Sequence, residues 1–125
     1  MATEQQHSDA VVTALKALGA AAYDLQDVPG TPPAWYTEVT VTRRFGGEQR
    51  GSGERDGTLW RITTRQVAKR LANAQNERAK SAGLEYRVLV VDGSTTTPIE
   101  FESADPIGPD DGYFSGLETW TYALI

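Results

Sequence analysis

The side chains best equipped for chemistry in this chain are arginines. Arg43, Arg44, Arg50 and Arg55 lie with Phe45 in one glycine-rich stretch, and Arg61 and Arg65 follow closely. Such a cluster can contact phosphates through its guanidinium groups and offers one ring for stacking on a base. Glu48, Glu54 and Asp56 interrupt it, however, and the chain carries a net charge of −5. Arg65, Lys69, Arg70, Asn73 and Asn76 could present base-reading groups from a helix over 64–82. A solvated outer helix face calls for the same residues.

Enzymatic signatures fail one after another. The chain has no cysteine, which removes thiolate zinc sites, disulfides and cysteine nucleophiles. Its one histidine, His7, falls in what reads as a polar N-terminal tail, so a paired imidazole is missing. Gly46 and Gly51 have the spacing that begins a phosphate-binding loop, but Ser52-Gly53 stands where Lys-Ser/Thr is required. Asp56 occupies the third glycine position of the dinucleotide-like pattern begun by Gly51-Ser52-Gly53. Ser115 lacks the flanking glycines of a nucleophile elbow. Asp110 and Asp111 are adjacent and point apart in an extended segment; with Asp105 they could surround a cation, but an acidic solvated turn before Gly112 fits them better. The sequence predicts a protein that is not an enzyme and has no catalytic residue, cofactor site or metal site.

Charge is unevenly distributed. Residues 1–42 set Lys16 against five acids, residues 43–87 hold the other eleven basic side chains against five acids, and residues 88–125 hold seven acids with no Lys or Arg. Segregated signs allow a chain to pair its positive surface with the negative surface of an identical neighbour, the heterologous contact that closes rings. The interface candidates are Arg43, Arg44, Arg50 and Arg55 on one side. On the other stand Glu100, Glu102, Asp105, Asp110 and Asp111. Neutralisation within one fold accounts for the same blocks, and both readings stay open.

The elements that must position these residues follow from periodicity. Val11, Leu15 and Leu18 make an apolar stripe for a first helix, capped at Ser8 or Asp9 and running to Ala21 unless Gly19 ends it a turn early. Tyr23 to Val28 alternates like a short edge strand, and Pro29 to Pro33 is a stiff connector. Trp35 to Arg43 is a strand with Trp35, Thr37, Val39 and Val41 on one face. Phe45 to Gly57 contains five glycines and is too long for an ordinary hairpin turn, which predicts a loop that orders at an interface. Leu59 to Thr63 is the next strand. Thr63 and Gln66 then have capping-box spacing for a second helix over 64–82, closed by Gly83. Tyr86 to Val91 reads as a central strand, Ile99 to Glu102 as a short one, Ser103 to Gly116 as a loop, and Leu117 to Ile125 as a terminal strand. The expected core comprises Val11, Leu15, Leu18, Val39, Val41, Leu59, Ile62, Leu71, Val88, Val90 and Trp120. The fold class is α+β: one mostly antiparallel sheet covered on one face by two helices.

At 125 residues the chain is one domain, 1–125, able to bury a core without disulfides or metal. Its longest strongly apolar run, Val88 to Val91, is far too short to span a membrane, and Met1 to Asp9 lacks the pattern of a signal peptide. These features predict a soluble protein made in a cytoplasm, with no membrane partner. The ordered set of features resembles the tail terminator proteins of long-tailed bacteriophages, also described as tail completion or minor tail proteins. The resemblance takes in the N-terminal helix, Trp35–Arg43, the glycine loop and Leu59-Trp60-Arg61-Ile62-Thr63-Thr64. It continues through Pro106-Ile107 and Asp110-Asp111-Gly112-Tyr113 to Gly116–Leu124. It implies a homo-oligomeric ring, hexameric in the family, at the head-proximal end of the virion tail. Its partners would be the tail tube protein and the head–tail connector or stopper protein, with DNA passing through the ring. The family has no active site to transfer. A head–tail stopper or connector subunit, and a small nucleic-acid-binding domain, are the alternatives.

Overall fold

A capping box fixes where the chain first becomes regular. The Thr3 hydroxyl accepts from the Gln6 amide at 3.1 Å, and the Gln6 side chain accepts from the Thr3 amide at 2.8 Å. Helix α1 (Glu4–Ala17) therefore begins before the expected Ser8 or Asp9, and it ends before Ala21 because Gly19 turns the chain at φ +92°. The computed structural model describes residues 3–44 and 59–124.

Strand β1 (Ala22–Asp24) leads through a 3₁₀ turn to β2 (Trp35–Arg44). Next come β3 (Leu59–Ala68), helix α2 (Leu71–Ser81) and a second 3₁₀ turn. The hairpin β4 (Val90–Val91) and β5 (Ser94–Thr95) precedes β6 (Glu100–Ala104), β7 (Gly108–Asp110) and β8 (Tyr113–Ala123). The main sheet has the order β1-β2-β3-β8-β6, with β7 also pairing β8; the β1–β2 pair is parallel and the others antiparallel. This is the expected α+β class.

Both helices lie on one sheet face. Register places Thr37, Val39 and Val41 of β2 beside Gln66, Thr64 and Ile62 of β3, and these beside Gly116, Glu118 and Trp120 of β8. Against that face α1 packs Val11 and Leu15, while Glu77 and Arg78 of α2 bond to Thr37 and Gln66.

Further expectations fail, each for a physical reason. The predicted helix start at Thr63–Gln66 is instead strand. There β3 pairs at every residue with both β2 and β8, and two full ladders outweigh one local capping box. Consequently α2 begins only at Leu71. Tyr86–Val91 is not a central strand: only Val90 and Val91 are in a strand, and they pair with Ser94–Thr95 outside the main sheet. Leu89 and Val91 are buried there while Val88 and Val90 are 47% and 66% exposed, so these two leave the expected core, as does the partly exposed Leu71. The expected loop Ser103–Gly116 contains β7, and β8 starts at Tyr113 rather than Leu117 because Asp111 and Gly112 make a tight positive-φ turn between them. Finally, His7 is no tail residue but a fully buried side chain of α1. Val11, Leu15, Val39, Val41, Ile62 and Trp120 are buried as expected, with Leu18 packed against the core and Leu59 half-buried.

Candidate assembly interface

Among the described residues, no helix packs on the second face of the sheet. Alternation along the three long strands puts Glu38, Thr40 and Thr42 on it from β2, Arg61, Thr63 and Arg65 from β3, and Ser115, Leu117, Thr119 and Thr121 from β8. Threonines suit this setting, since a β-branched hydroxyl side chain favours the strand while tolerating water.

Arginine and carboxylate cross-links hold the open face. Arg65 reaches Glu38 at 3.1 Å on one side and Asp110 at 2.5 Å on the other. The Ser115 hydroxyl also donates to Asp110, at 2.8 Å. The Ser115 bond and then the Arg65 guanidinium hold the Asp110 carboxyl below its ordinary range. Arg61 lies 3.2 Å from Glu102, tying β6 to β3 across β8.

The covered face treats charge differently. Arg78 of α2 donates to the Gln66 side chain at 2.9 Å and to the backbone oxygens of Asp105 and Leu117 at 2.7 and 3.2 Å. It also faces Glu118, 3.9 Å away, whose carboxyl accepts from Thr64 and Gln66. Burial pushes the Glu118 carboxyl up, with Arg78, Thr64 and Gln66 opposing it. Gly116 lets this arm lie close to the strand, since a Cβ there would stand 2.7 Å from an Arg78 nitrogen and 3.1 Å from the Ile107 backbone and would push the arm aside. Glu77, fully buried, accepts from the Thr37 hydroxyl at 2.9 Å and the Ala21 amide at 3.0 Å, locking α2 to β2 and to the chain entering β1.

The nine predicted interface residues fall into three groups. Arg50 and Arg55, with the Phe45–Thr58 segment, lie outside the described residues, and so does the side chain of Arg44 at the end of β2. Asp110 and Glu102 are held by Arg65 and Arg61 of the same chain, so part of the charge segregation is neutralised within the fold. Glu100, Asp105 and Asp111 are exposed along the β6–β8 side of the sheet, and Arg43 stands on β2, where its amide donates to Glu4 at 3.2 Å.

Sequence reasoning missed the exposed apolar residues. Trp35 is 42% exposed, Phe101 45% and Tyr86 72%, and Val88 and Val90 border a groove of about 520 Å³ beside α1. Exposed and buried valines look identical in a sequence; the one available signal was that Val88–Val91 is apolar at every position rather than alternating.

Comparison of the sequence with protein-family models and with curated proteins gave no match. Solved structures do share the fold. A chain of the virion of a native gene transfer agent particle superposes with a TM-score of 0.62 at 20% identity, over 98% of this chain and 90% of that one. A second solved chain, which carries no descriptive name, gives a TM-score of 0.62 at 16% identity, over 97% of this chain and 92% of that chain. At these identities the likeness establishes a common fold over nearly the whole length of each chain.

Proposed function

We propose that this protein is a structural subunit of a phage-like virion, a tail terminator whose copies form a ring at the head-proximal end of the tail. The observation that carries the reading is the end-to-end fold likeness to a chain of a gene transfer agent virion. The sequence resemblance to tail terminators points the same way. The role asks the chain for no catalysis and no cofactor. It asks for two unlike complementary surfaces. Exposed Glu100, Asp105 and Asp111 along the β6–β8 side of the sheet, and Arg43 on β2 away from them, are the candidates for such surfaces.

Electron microscopy of particles tests the reading directly, with the chain carrying a small C-terminal label. The label is expected as a closed ring where the tail meets the head, and particles lacking the chain are expected to show tails of irregular length that fail to join heads. A label at the connector itself would assign the chain as a head–tail stopper. Absence from particles, together with tight salt-dependent binding of an oligonucleotide, would replace the reading with a nucleic-acid-binding role.

A further inference from the structure

The fully buried imidazole of His7 is a titratable group that the assembly role does not use. It projects from the first turn of α1 and stacks on the Trp60 indole, with ring centroids 3.7 Å apart and planes inclined by 16°. Its Nδ1 lies 2.5 Å from the Tyr122 hydroxyl, while its Nε2 is buried with no hydrogen-bond partner among the described residues. One imidazole thus fastens the start of α1 to both β3 and β8.

An imidazolium carries two N–H donors and needs two acceptors. The site offers one oxygen, that of Tyr122, and nothing at Nε2 among the described residues. The charged groups nearby do not fill the gap. Glu4 stands one turn earlier on α1 and accepts the Arg43 amide; Arg43 itself is the ladder neighbour of Trp60 on β2; Asp24 of β1 accepts from Ser8 and from the Gln26 amide. On β8 the facing group is the Tyr122 hydroxyl, kept protonated far above neutrality by burial.

We propose that His7 is an acid-sensitive latch, and that protonating its imidazole releases the N-terminal turns of α1 from the sheet. Burial depresses the His7 pKa below its ordinary 6.5, with Glu4 opposing the shift. The sign follows from linkage. A released His7 binds a proton at about 6.5 and the docked one only at lower pH, so docking is fully supported above pH 6.5 and weakens as pH falls below it. The loss approaches about tenfold in the docking equilibrium per pH unit until the docked imidazole itself titrates. The released turns uncover Trp60 and Tyr122, a surface absent at neutral pH. This device is independent of ring formation.

The full chain contains a single histidine, so its imidazole resonances can be followed by NMR from pH 8 to 5 without assignment. The imidazole is expected to stay neutral through pH 6.5. On further acidification, amide-exchange protection over Glu4–Ala10 should fall before that of β3 and β8, together with a change in tryptophan fluorescence. His7→Gln should abolish the fluorescence step between pH 7 and 5; should that variant not fold, the wild-type titration and exchange order decide alone. An imidazole that titrates near 6.5 with α1 still protected would overturn the proposal. So would a fluorescence step that persists unchanged in His7→Gln.

Discussion

The two faces of the sheet use the same residue types for opposite ends. On the covered face Glu77 is bonded to Thr37 and Ala21, Arg78 and Glu118 meet through Gln66, and Trp120, Ile62 and Val39 complete an apolar half beside them. On the open face Arg61, Arg65, Glu38 and Asp110 also pair, but each remains partly in water. Desolvation is what separates them. A charge that cannot reach water is costly to leave alone, whereas an exposed pair can be broken at small expense because solvent replaces the lost partner. The covered face therefore sets the fold, while the open-face pairs contribute little to it.

Truncating the apolar half should give the largest effect. Trp120 is 2% exposed, meets Phe101 edge-on, and donates its indole N–H to Thr64 at 3.3 Å. Trp120→Ala is expected to lower stability by about 3–5 kcal/mol, measured by urea unfolding at neutral pH. A loss as small as that of an open-face substitution would show that the covered face does not set stability. The polar half comes next. Arg78→Met keeps the stem but leaves Glu118, Gln66 and two backbone oxygens short of a donor, for an expected loss of about 1–3 kcal/mol. Because the variant removes the cation that favours ionised Glu118, its deficit should shrink at acid pH, where that carboxyl takes up a proton. An unfolding series from pH 7 to 4 reads this directly, and a deficit constant with pH would remove Glu118 from the account.

Much of the covered face was legible in the sequence, because alternation in Trp35–Arg43 and the stripe Val11, Leu15, Leu18 record which side meets the core. The boundaries that failed are those where tertiary pairing overrides local preference. Thr63 and Gln66 have the spacing of a helix cap, yet two flanking strands claim the backbone through Ala68, and Gln66 is spent on Glu118 and Arg78 instead. His7 was illegible for a related reason: Glu4, Gln5, Gln6 and Asp9 around it are exposed on α1, and its stacking partner lies far along the chain in Trp60. The candidate interface was legible as segregated charge but not as geometry. Nothing in the spacing of Arg65 and Asp110 says that a hairpin between β7 and β8 brings them together.

That pair gives the smallest effect, and the one most informative about the open face. Arg65 and Asp110 are each about a third or more exposed, so their mutual coupling should be worth ~0–1 kcal/mol despite the short contact. A double-mutant cycle with Arg65→Met and Asp110→Asn, run at low and at high salt, should show a coupling that fades as salt screens it. The same two variants should leave the monomer folded. Their effect on assembly separates two uses of Asp110. If the carboxylate only steadies the β7–β8 hairpin, both variants should assemble alike. If it also meets a neighbouring subunit, Asp110→Asn should weaken association more than Arg65→Met does, since the arginine variant leaves the acid free for an outside cation. A coupling well above 1 kcal/mol that persists in high salt would mean the pair is effectively buried, and the contrast between the two faces would fail at this point.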